Sequence, residues 1–139
     1  GFLHWGHDIS PEENQYQAGL NFAISYKKEI NFTGKEALSK INKKKIDKRF
    51  IMLSLIDSKP GEPLLLHEEP IYLKNKIIGR TTSGNYSFNY KKNISFGYVK
   101  TKHSNEELAE MNLYIEVARK KYPVIVETQP LKDSKARLS

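Results

Sequence analysis

The sequence predicts a β-rich α+β chain, in which a small antiparallel β-barrel or sandwich over residues 47–139 follows the remnant of an α+β domain over residues 1–46. After residue 48, short apolar segments alternate with turn residues at the spacing of an all-β unit, and no long helical pattern interrupts them. Before that point a strand pattern, a helix pattern and a charged connector follow one another.

Two elements are expected before the boundary. Apolar and polar residues alternate over Leu20–Tyr26, which predicts a strand with one buried face. Thr33 and Glu36 then fit a capping box, in which the Thr33 hydroxyl accepts a hydrogen bond from the N3 amide and Glu36 reaches back to the cap amide, so a short helix is expected next. The charged run Asn42–Lys45 has no apolar period and is expected to be an exposed connector, which places the domain boundary near Ile46.

Beyond the boundary the sequence predicts short strands joined by tight turns. The six predicted strands are Arg49–Ile56, Pro70–Leu73, Ile77–Thr82, Ile94–Lys100, Leu113–Ala118 and Pro123–Thr128. Asp57–Gly61 is a strong turn signal, Ser83–Asn85 is expected to form a bend, and Arg119–Lys121 is expected to close a hairpin. Ser104 is expected to cap a helical turn that extends to Met111.

Composition excludes several classes of protein. Hydrophobic residues make up 38% and charged residues 28% of the 139 positions, as in a water-soluble globular protein. No apolar run approaches the roughly 20 residues of a membrane-spanning helix, so no membrane partner is expected. The absence of cysteine excludes disulfides, thiolate metal sites and a cysteine nucleophile. It favours a reducing compartment, and a cytoplasmic location is expected.

The net charge of +7 raises the question of nucleic-acid binding, because clustered basic residues attract phosphates. Most of the 23 basic residues are lysines, a bias that we attribute to an AT-rich genome. The densest basic stretch, Lys40–Arg49, has no interleaved aromatic residues on which bases could stack. Nucleic acid is therefore a disfavoured partner, and a basic nucleic-acid-binding barrel is kept only as an alternative.

Two groups of residues near the start of the chain could carry chemistry. His4 and His7, with Asp8 beside them, have a spacing found in metal sites, but the glycine between them breaks a helix and no metal site is expected. Glu12 and Glu13 form, with Asp8, a candidate carboxylate pair for acid/base work. A solvated first helical turn explains these acids better.

Two further groups lie in or around the predicted β unit. Gly79–Gly84 is polar and flanked by glycines, so it could bind a phosphate, although a turn between strands explains it and is favoured. A set of aromatic residues could form a wall on which a flat ligand stacks, whereas core packing is their commoner use. These aromatic residues are Trp5, Tyr16, Tyr86, Phe88 and Tyr90.

Five motifs follow one another along the chain: His4–Ile9, Gly19–Ala23, Phe32–Leu38, Gly79–Gly84 and Gly97–Val99. In residues and in order they resemble the C-terminal part of the aminomethyltransferase, or glycine cleavage T-protein, superfamily. Within that superfamily, the block from His4 to Ala23 and the segment Leu66–Tyr72 are most similar to the folate-binding tail of sarcosine and dimethylglycine dehydrogenases.

The resemblance implies a tetrahydrofolate-dependent transfer of a one-carbon unit from a small-molecule amine, with an FAD domain upstream in the same polypeptide. It also implies a C-terminal barrel of Greek-key type, preceded by the remnant of a folate-binding domain. The family's central acidic residue lies upstream of Gly1, so this chain alone is expected to be an inactive fragment whose partners are the upstream domains. A regulatory or scaffold homologue that has lost folate is the alternative.

The resemblance assigns four residues to cofactor binding, and no catalytic residue or metal ligand within this chain. Trp5 stands where the family has an aromatic residue and could line the pterin. Gln17 replaces a glutamate whose carboxylate would accept two adjacent pterin N–H groups in a fork, whereas an amide offers one acceptor and one mismatched donor. Lys48 and Arg49 match a basic pair that opens the family's barrel, near the expected position of the folate carboxylate tail or of an interdomain contact.

Overall fold

The computed structural model describes residues 2–41, 45–129 and 131. The strands are β1 (Lys48–Leu55), β2 (Pro70–Leu73), β3 (Lys76–Ser87), β4 (Lys92–Lys100), β5 (Leu113–Val117) and β6 (Lys120–Glu127). The helices in this part of the chain are α1 (Lys35–Ser39), α2 (Asn105–Ala109) and a short 3-10 helix at Asn21–Ala23.

The six strands form a closed antiparallel barrel in the order β1-β4-β3-β2-β5-β6. The pairs β2/β3 and β3/β4 are consecutive in sequence, and β1 reaches its place beside β4 through the long connection between residues 55 and 70. This is the Greek-key arrangement. Closure pairs both edges of the sheet, and the predicted β-barrel is confirmed.

The barrel is filled by the inward side chains of its strands. On β1 the alternate residues Ile51, Leu53 and Leu55 are almost fully buried, as the period of a strand requires. The same cluster contains Ile71, Val99, Leu113, Ile115, Val124, Val126 and, from α2, Leu108. Strands β3 and β4 approach closely at Gly79, where an added Cβ would lie 1.9 Å from the Tyr98 carbonyl oxygen.

Two turns in the barrel differ from the prediction. The expected bend at Ser83–Asn85 lies inside β3, because a register shift between Thr81 and Ser83 lets the strand bend without ending. The β5–β6 turn is formed by Ala118 and Arg119, both with positive φ, so that β6 already begins at Lys120.

The strand predicted over Leu20–Tyr26 is wrong in this structure. Asn21–Ala23 form a turn of 3-10 helix, and within residues 2–41 no strand is present for this stretch to pair with. A strand needs a neighbour for its main-chain hydrogen bonds, and an alternating pattern cannot supply one.

Of the two predicted helix caps, one is wrong and one is confirmed. Helix α1 is capped by Gly34 with φ of 87°, and no side chain bonds to its first turn. With Gly34 as its cap residue, the helix begins one residue later than it would with Thr33 as the cap. At α2, Ser104 and Glu107 form a complete capping box, as predicted.

Residues 42–44 of the predicted connector lie outside the described residues, and the boundary near Ile46 stays a prediction. The barrel itself begins at Lys48. Among the described residues, no helix is long and apolar enough to cross a membrane.

Candidate functional site

The chain before the barrel lies against the outer face of β1, β3 and β4. We call residues 4–18 the anchoring segment. The Phe50 amide of β1 donates a hydrogen bond of 2.8 Å to the Gln17 carbonyl oxygen. Beneath this contact the ring of Phe50 packs against Phe96 at 5.3 Å and Tyr98 at 5.4 Å, measured between ring centroids. Aromatic residues of β1 and β4 therefore pack together next to the point where the anchoring segment bonds to β1.

Asp8 holds the anchoring segment to β3. Its side chain is 2% exposed, and one carboxylate oxygen accepts hydrogen bonds from the Thr82 hydroxyl at 2.5 Å and the Ser83 hydroxyl at 2.8 Å. The other oxygen accepts the His4 amide at 2.8 Å. Because these donors surround it, Asp8 serves as a structural acceptor, and the Thr82 and Ser83 hydroxyls considered for phosphate binding are engaged.

Glu13 makes the second polar contact between the anchoring segment and the barrel. One oxygen lies 2.5 Å from Lys48 Nζ, and the other accepts the Ser10 amide at 2.9 Å and the Ser10 hydroxyl at 2.7 Å. Burial alone would raise the pKa of Glu13, but the hydrogen bonds from Lys48 and Ser10 outweigh it and lower the pKa. Asp8 and Glu13 are thus both engaged in fixed contacts with the barrel.

Tyr98 lies below this ion pair. Lys48 Nζ is 4.7 Å from the centroid of its ring, within cation–π range. The Tyr98 hydroxyl is buried and has no hydrogen-bond partner among the described residues. Burial and the negative charges of Glu13 and Asp8 raise the pKa of this hydroxyl, which stays protonated.

A cleft of about 880 Å³ opens where the anchoring segment meets β1, β3 and β4. It contains carboxylates, amides and basic groups from both sides of the junction. The basic and amide side chains that line it are His7, Gln17, Lys48, Arg80 and Lys100. Two residues predicted to bind cofactor, Gln17 and Lys48, are therefore brought to one cleft from positions far apart in sequence.

The other two predicted cofactor residues lie elsewhere. Trp5 is 66% exposed and is absent from the lining of this cleft. Arg49 follows Lys48 on β1 and therefore points to the opposite face, the one shared by Ile51. Its Nε is buried without a hydrogen-bond partner in the described part of the chain. The predicted basic pair is thus divided between the cleft and one end of the barrel.

The side chain of Gln17 is partly committed to local structure. Its side-chain oxygen, Oε1, accepts a hydrogen bond of 3.0 Å from the main-chain amide of Asn14. The main-chain amide of Gln17 in turn donates a hydrogen bond of 3.0 Å to the side-chain oxygen of Asn14. These two hydrogen bonds shape the turn that places the main-chain carbonyl of Gln17 next to the Phe50 amide. The single acceptor of this side chain already has a donor.

Sequence reasoning paired His4 with His7 but missed a third histidine. The rings of His4 and His7 lie 4.6 Å apart, and His67 from the β1–β2 connection lies 6.4 Å from His7. Barrel closure brings His67 there, and no local sequence signal could have shown it. Across residues 2–41, 45–129 and 131, no three metal-ligating side chains are placed to hold an ion.

The five aromatic residues considered as a stacking wall are dispersed. Tyr86 packs edge-on against Phe88, with ring centroids 5.1 Å apart. The Tyr16 and Tyr26 hydroxyls lie 2.5 Å apart, and Tyr90 donates to the Leu131 carbonyl at 3.1 Å. These separate contacts do not form one surface for a flat ligand.

The fold defines a class, the small Greek-key barrel, here with a preceding segment bonded to its strands. Residues 48–133 match the family model described as the glycine cleavage T-protein C-terminal barrel domain, and the chain belongs to this family. The family predicted from the sequence motifs is confirmed.

Relatives of known activity extend the similarity beyond the barrel. Mitochondrial dimethylglycine dehydrogenase of Rattus norvegicus is 35% identical over 133 residues, which cover 94% of this chain and 14% of that protein. The 4-methylaminobutanoate oxidase (formaldehyde-forming) of Paenarthrobacter nicotinovorans is 34% identical over 137 residues, 97% of this chain and 16% of that protein. An aminomethyltransferase of Symbiobacterium thermophilum is 33% identical over 100 residues, 72% of this chain and 26% of that protein.

A solved structure shows the same fold. The glycine cleavage system aminomethyltransferase T from Bartonella henselae superposes with a TM-score of 0.75 at 20% identity, over 93% of this chain and 35% of that one. The chain thus spans a small part of the length of each relative.

Proposed function

We propose that this chain is the C-terminal part of a tetrahydrofolate-dependent aminomethyltransferase-like protein of the dimethylglycine or sarcosine dehydrogenase type, which transfers a one-carbon unit from an amine. Its partners are upstream domains of the same polypeptide, including an FAD domain, and the complete polypeptide is cytoplasmic. The chain alone is inactive, because the acid and the flavin site implied by the family lie upstream.

The share of this chain that is similar to each relative supports this proposal. The match to the aminomethyltransferase covers 72% of the chain, whereas the matches to the dehydrogenase and the oxidase cover 94% and 97% and so include most of the anchoring segment. The names of those two relatives specify substrates that carry an N-methyl group. An N-methylated amine is therefore the substrate class we assign to the complete polypeptide.

The residues of the junction cleft fit one part of a folate. Lys48 and Arg80 in its lining are paired with Glu13 and Glu68. Lys100 has no ion pair among the described residues, and its charge suits a carboxylate of the tail. Gln17 does not fit the two N–H groups of a pterin, because its amide has one acceptor oxygen, which also accepts the Asn14 amide, and its other end is a donor. Tetrahydrofolate would supply the nitrogen that accepts the one-carbon unit, and this chain would contribute charge at the tail.

The same feature of Gln17 favours the second candidate, a scaffold homologue that has lost folate. A site that no longer binds a pterin has no need of a carboxylate there, and the amide would then serve only the Asn14 turn. The two candidates differ in one measurable property, the affinity for tetrahydrofolate.

The test uses the complete polypeptide, expressed from the full reading frame that encodes this chain. Formaldehyde release from an N-methylated amine is measured with and without tetrahydrofolate. The proposal expects free formaldehyde to fall and methylene-tetrahydrofolate to appear in matching amounts when folate is added. No formaldehyde release with or without folate, and no heat of tetrahydrofolate binding by calorimetry, would instead establish the scaffold homologue. Unchanged formaldehyde release without folate binding would refute the folate-dependent transfer.

A variant of Gln17 sharpens this test. Gln17→Glu keeps an oxygen for the Asn14 amide and adds a second, charged acceptor. Tetrahydrofolate binding by the complete polypeptide should tighten several-fold, because charge-assisted hydrogen bonds are stronger than neutral ones. Gln15→Glu, the same change at an exposed position outside the cleft lining, is the control and should leave the affinity unaltered. Weaker binding by Gln17→Glu than by the wild type would show that the argument from two carboxylate acceptors is wrong.

A further inference from the structure

A second cleft, of about 970 Å³, opens at the end of the barrel where β1 stops and the β3–β4 and β5–β6 turns come together. We call it the end cleft. It shares no lining residue with the cleft at the anchoring segment. The mouth of a β-barrel is a common position for a small-molecule site, and this volume is within the usual range of such sites.

Lysine side chains surround the end cleft. The four lysines in its lining are Lys59, Lys91, Lys92 and Lys120. Among the residues that the structure describes, none of the four forms an ion pair, although Asp57 and Glu62 line the same cleft. Four positive charges against two negative ones give the end cleft a net positive charge, which attracts anions. Lys92 is half-buried, so an anion beside it is less screened by water than at a fully exposed lysine.

The walls between the lysines are apolar and aromatic. Ile56 is 52% exposed and Leu64 is 59% exposed, so both leave apolar surface for a ligand. The ring of Tyr122 lies 5.1 Å from Lys120 Nζ, which places positive charge directly beside an aromatic surface. Tyr90 adds a second aromatic ring to the lining. The end cleft therefore offers contacts for negative charge and for an apolar group at the same time.

A buried side chain holds the lysines of the rim in place. Asn93 is 1% exposed, and its Nδ2 donates hydrogen bonds to the carbonyl oxygens of Lys59 at 3.2 Å and Glu62 at 3.4 Å. The main-chain amide of Asn93 donates to Ser58 Oγ at 2.9 Å. Because Lys92 comes directly before Asn93 in β4, one buried residue fixes the main chain that carries two of the lysines. Charges that are already held in place lose less freedom when a ligand binds.

We propose that the end cleft binds a small organic molecule that carries at least two negative charges on an apolar or aromatic body, the chemical class that includes nucleotides. The lysines bind its anionic groups, as ammonium groups bind phosphate and carboxylate oxygens. The exposed side chains of Ile56 and Leu64 contact its body. This site goes beyond the proposed function, which uses neither the end cleft nor its lysines.

Lysine acetylation read by mass spectrometry locates the ligand on the complete polypeptide. ADP is the probe, because it combines two phosphates with a flat base, and pyrophosphate is the probe for the charges alone. Saturating ADP should slow acetylation of the four lysines of the end cleft at least about fivefold, because an ammonium group bound to phosphate is shielded from the reagent. Lys74 and Lys76, beside the β2–β3 turn and outside the cleft lining, are the internal controls and should react at an unchanged rate. Acetylation of the four lysines that neither ADP nor pyrophosphate slows would overturn the proposal.

Two double variants with the same change in net charge test the lysines by affinity. Lys91→Gln/Lys92→Gln should weaken ADP binding by the complete polypeptide at least about tenfold, because it removes two charges that bind the phosphates. Lys74→Gln/Lys76→Gln removes two charges outside the end cleft and should change the affinity less than about twofold. Calorimetry measures both. Equal affinities of the two double variants would overturn the proposal, since ADP would then bind elsewhere or respond only to overall charge.

Two further comparisons test the class of ligand. Adenosine has the apolar body without the charges, and pyrophosphate has the charges without the body, so both should bind more weakly than ADP. Pyrophosphate that binds as tightly as ADP would contradict the assigned class, because the apolar walls would then take no part. An acidic polypeptide is the competing occupant, and protection of the four lysines by a polyglutamate peptide but not by ADP would overturn the small-molecule site in favour of a protein partner.

Discussion

The Asp8 carboxylate accepts the Ser83 hydroxyl at 2.8 Å across 75 residues of chain. The bond joins the anchoring segment to the point where β3 changes register, between Thr81 and Ser83. The bend in β3 turns the Thr82 and Ser83 hydroxyls toward the same carboxylate oxygen. A local irregularity of the barrel thus creates the attachment for the preceding part of the chain.

Replacing Asp8 should loosen this attachment. Asp8→Ala leaves the Thr82 and Ser83 hydroxyls and the His4 amide without their acceptor, and should lower the free energy of unfolding by about 2–3 kcal/mol. Urea unfolding at pH 7 measures the change. Asp47→Ala, an exposed aspartate beside the barrel, is the matched control and should shift stability by no more than about 0.5 kcal/mol. Equal losses in the two variants would show that Asp8 does not fasten the segment.

The two helix caps give a second matched pair. Ser104→Ala removes an acceptor for the Glu107 amide in a complete capping box and should cost about 1 kcal/mol of stability. Thr33→Ala should cost almost nothing, because α1 is capped by Gly34 without a side-chain bond. Thermal unfolding of both variants checks the difference. A loss at Thr33 as large as that at Ser104 would mean that Thr33 caps α1 after all.

The barrel could be predicted from the sequence because its strands alternate and its turns carry glycine, asparagine and lysine at the right places. Pro70–Leu73 was predicted with its observed bounds, since it is half of a short local hairpin. The structure of residues 20–26 could not be predicted in the same way, because a strand also needs a partner and an alternating pattern does not show whether one is present.

The candidate site could be predicted from the sequence less well than the barrel, for the same reason. Asp8 meets Thr82 and Ser83 only through the folded barrel, 74 and 75 residues away, so its sequence neighbours pointed to metal or acid/base chemistry instead. Lys48 and Arg49 are adjacent in sequence, but strand alternation sends them to opposite faces. Gln17 and Lys48 were found through the resemblance, and their shared cleft only through the structure.

The unpartnered hydroxyl of Tyr98 predicts a stabilising substitution. Tyr98→Phe removes a buried polar group that has no partner among the described residues, and should raise the free energy of unfolding by about 1 kcal/mol. Tyr90→Phe is the control with the opposite sign, because it removes a bond to the Leu131 carbonyl and should lower stability by about 0.5–1 kcal/mol. A destabilised Tyr98→Phe protein would show that the hydroxyl has a partner in solution.

The ion pair between Glu13 and Lys48 predicts how stability depends on pH. The pKa of Glu13 is lowered from its ordinary value of 4.5 because the hydrogen bonds from Lys48 and Ser10 outweigh the cost of burial, so folding favours the ionised carboxylate. Its contribution to stability is therefore complete above about pH 4.5 and is lost as the pH falls through the lowered native pKa. Urea unfolding of the wild type and of Glu13→Gln should show a difference in the free energy of unfolding at pH 7 that shrinks steadily below pH 4.5. Glu110→Gln, at an exposed position that forms no ion pair with another described residue, is the control and should follow the wild type at every pH. A difference between wild type and Glu13→Gln that stays constant from pH 7 to pH 3 would mean that the charge of Glu13 does not contribute to joining the anchoring segment to β1.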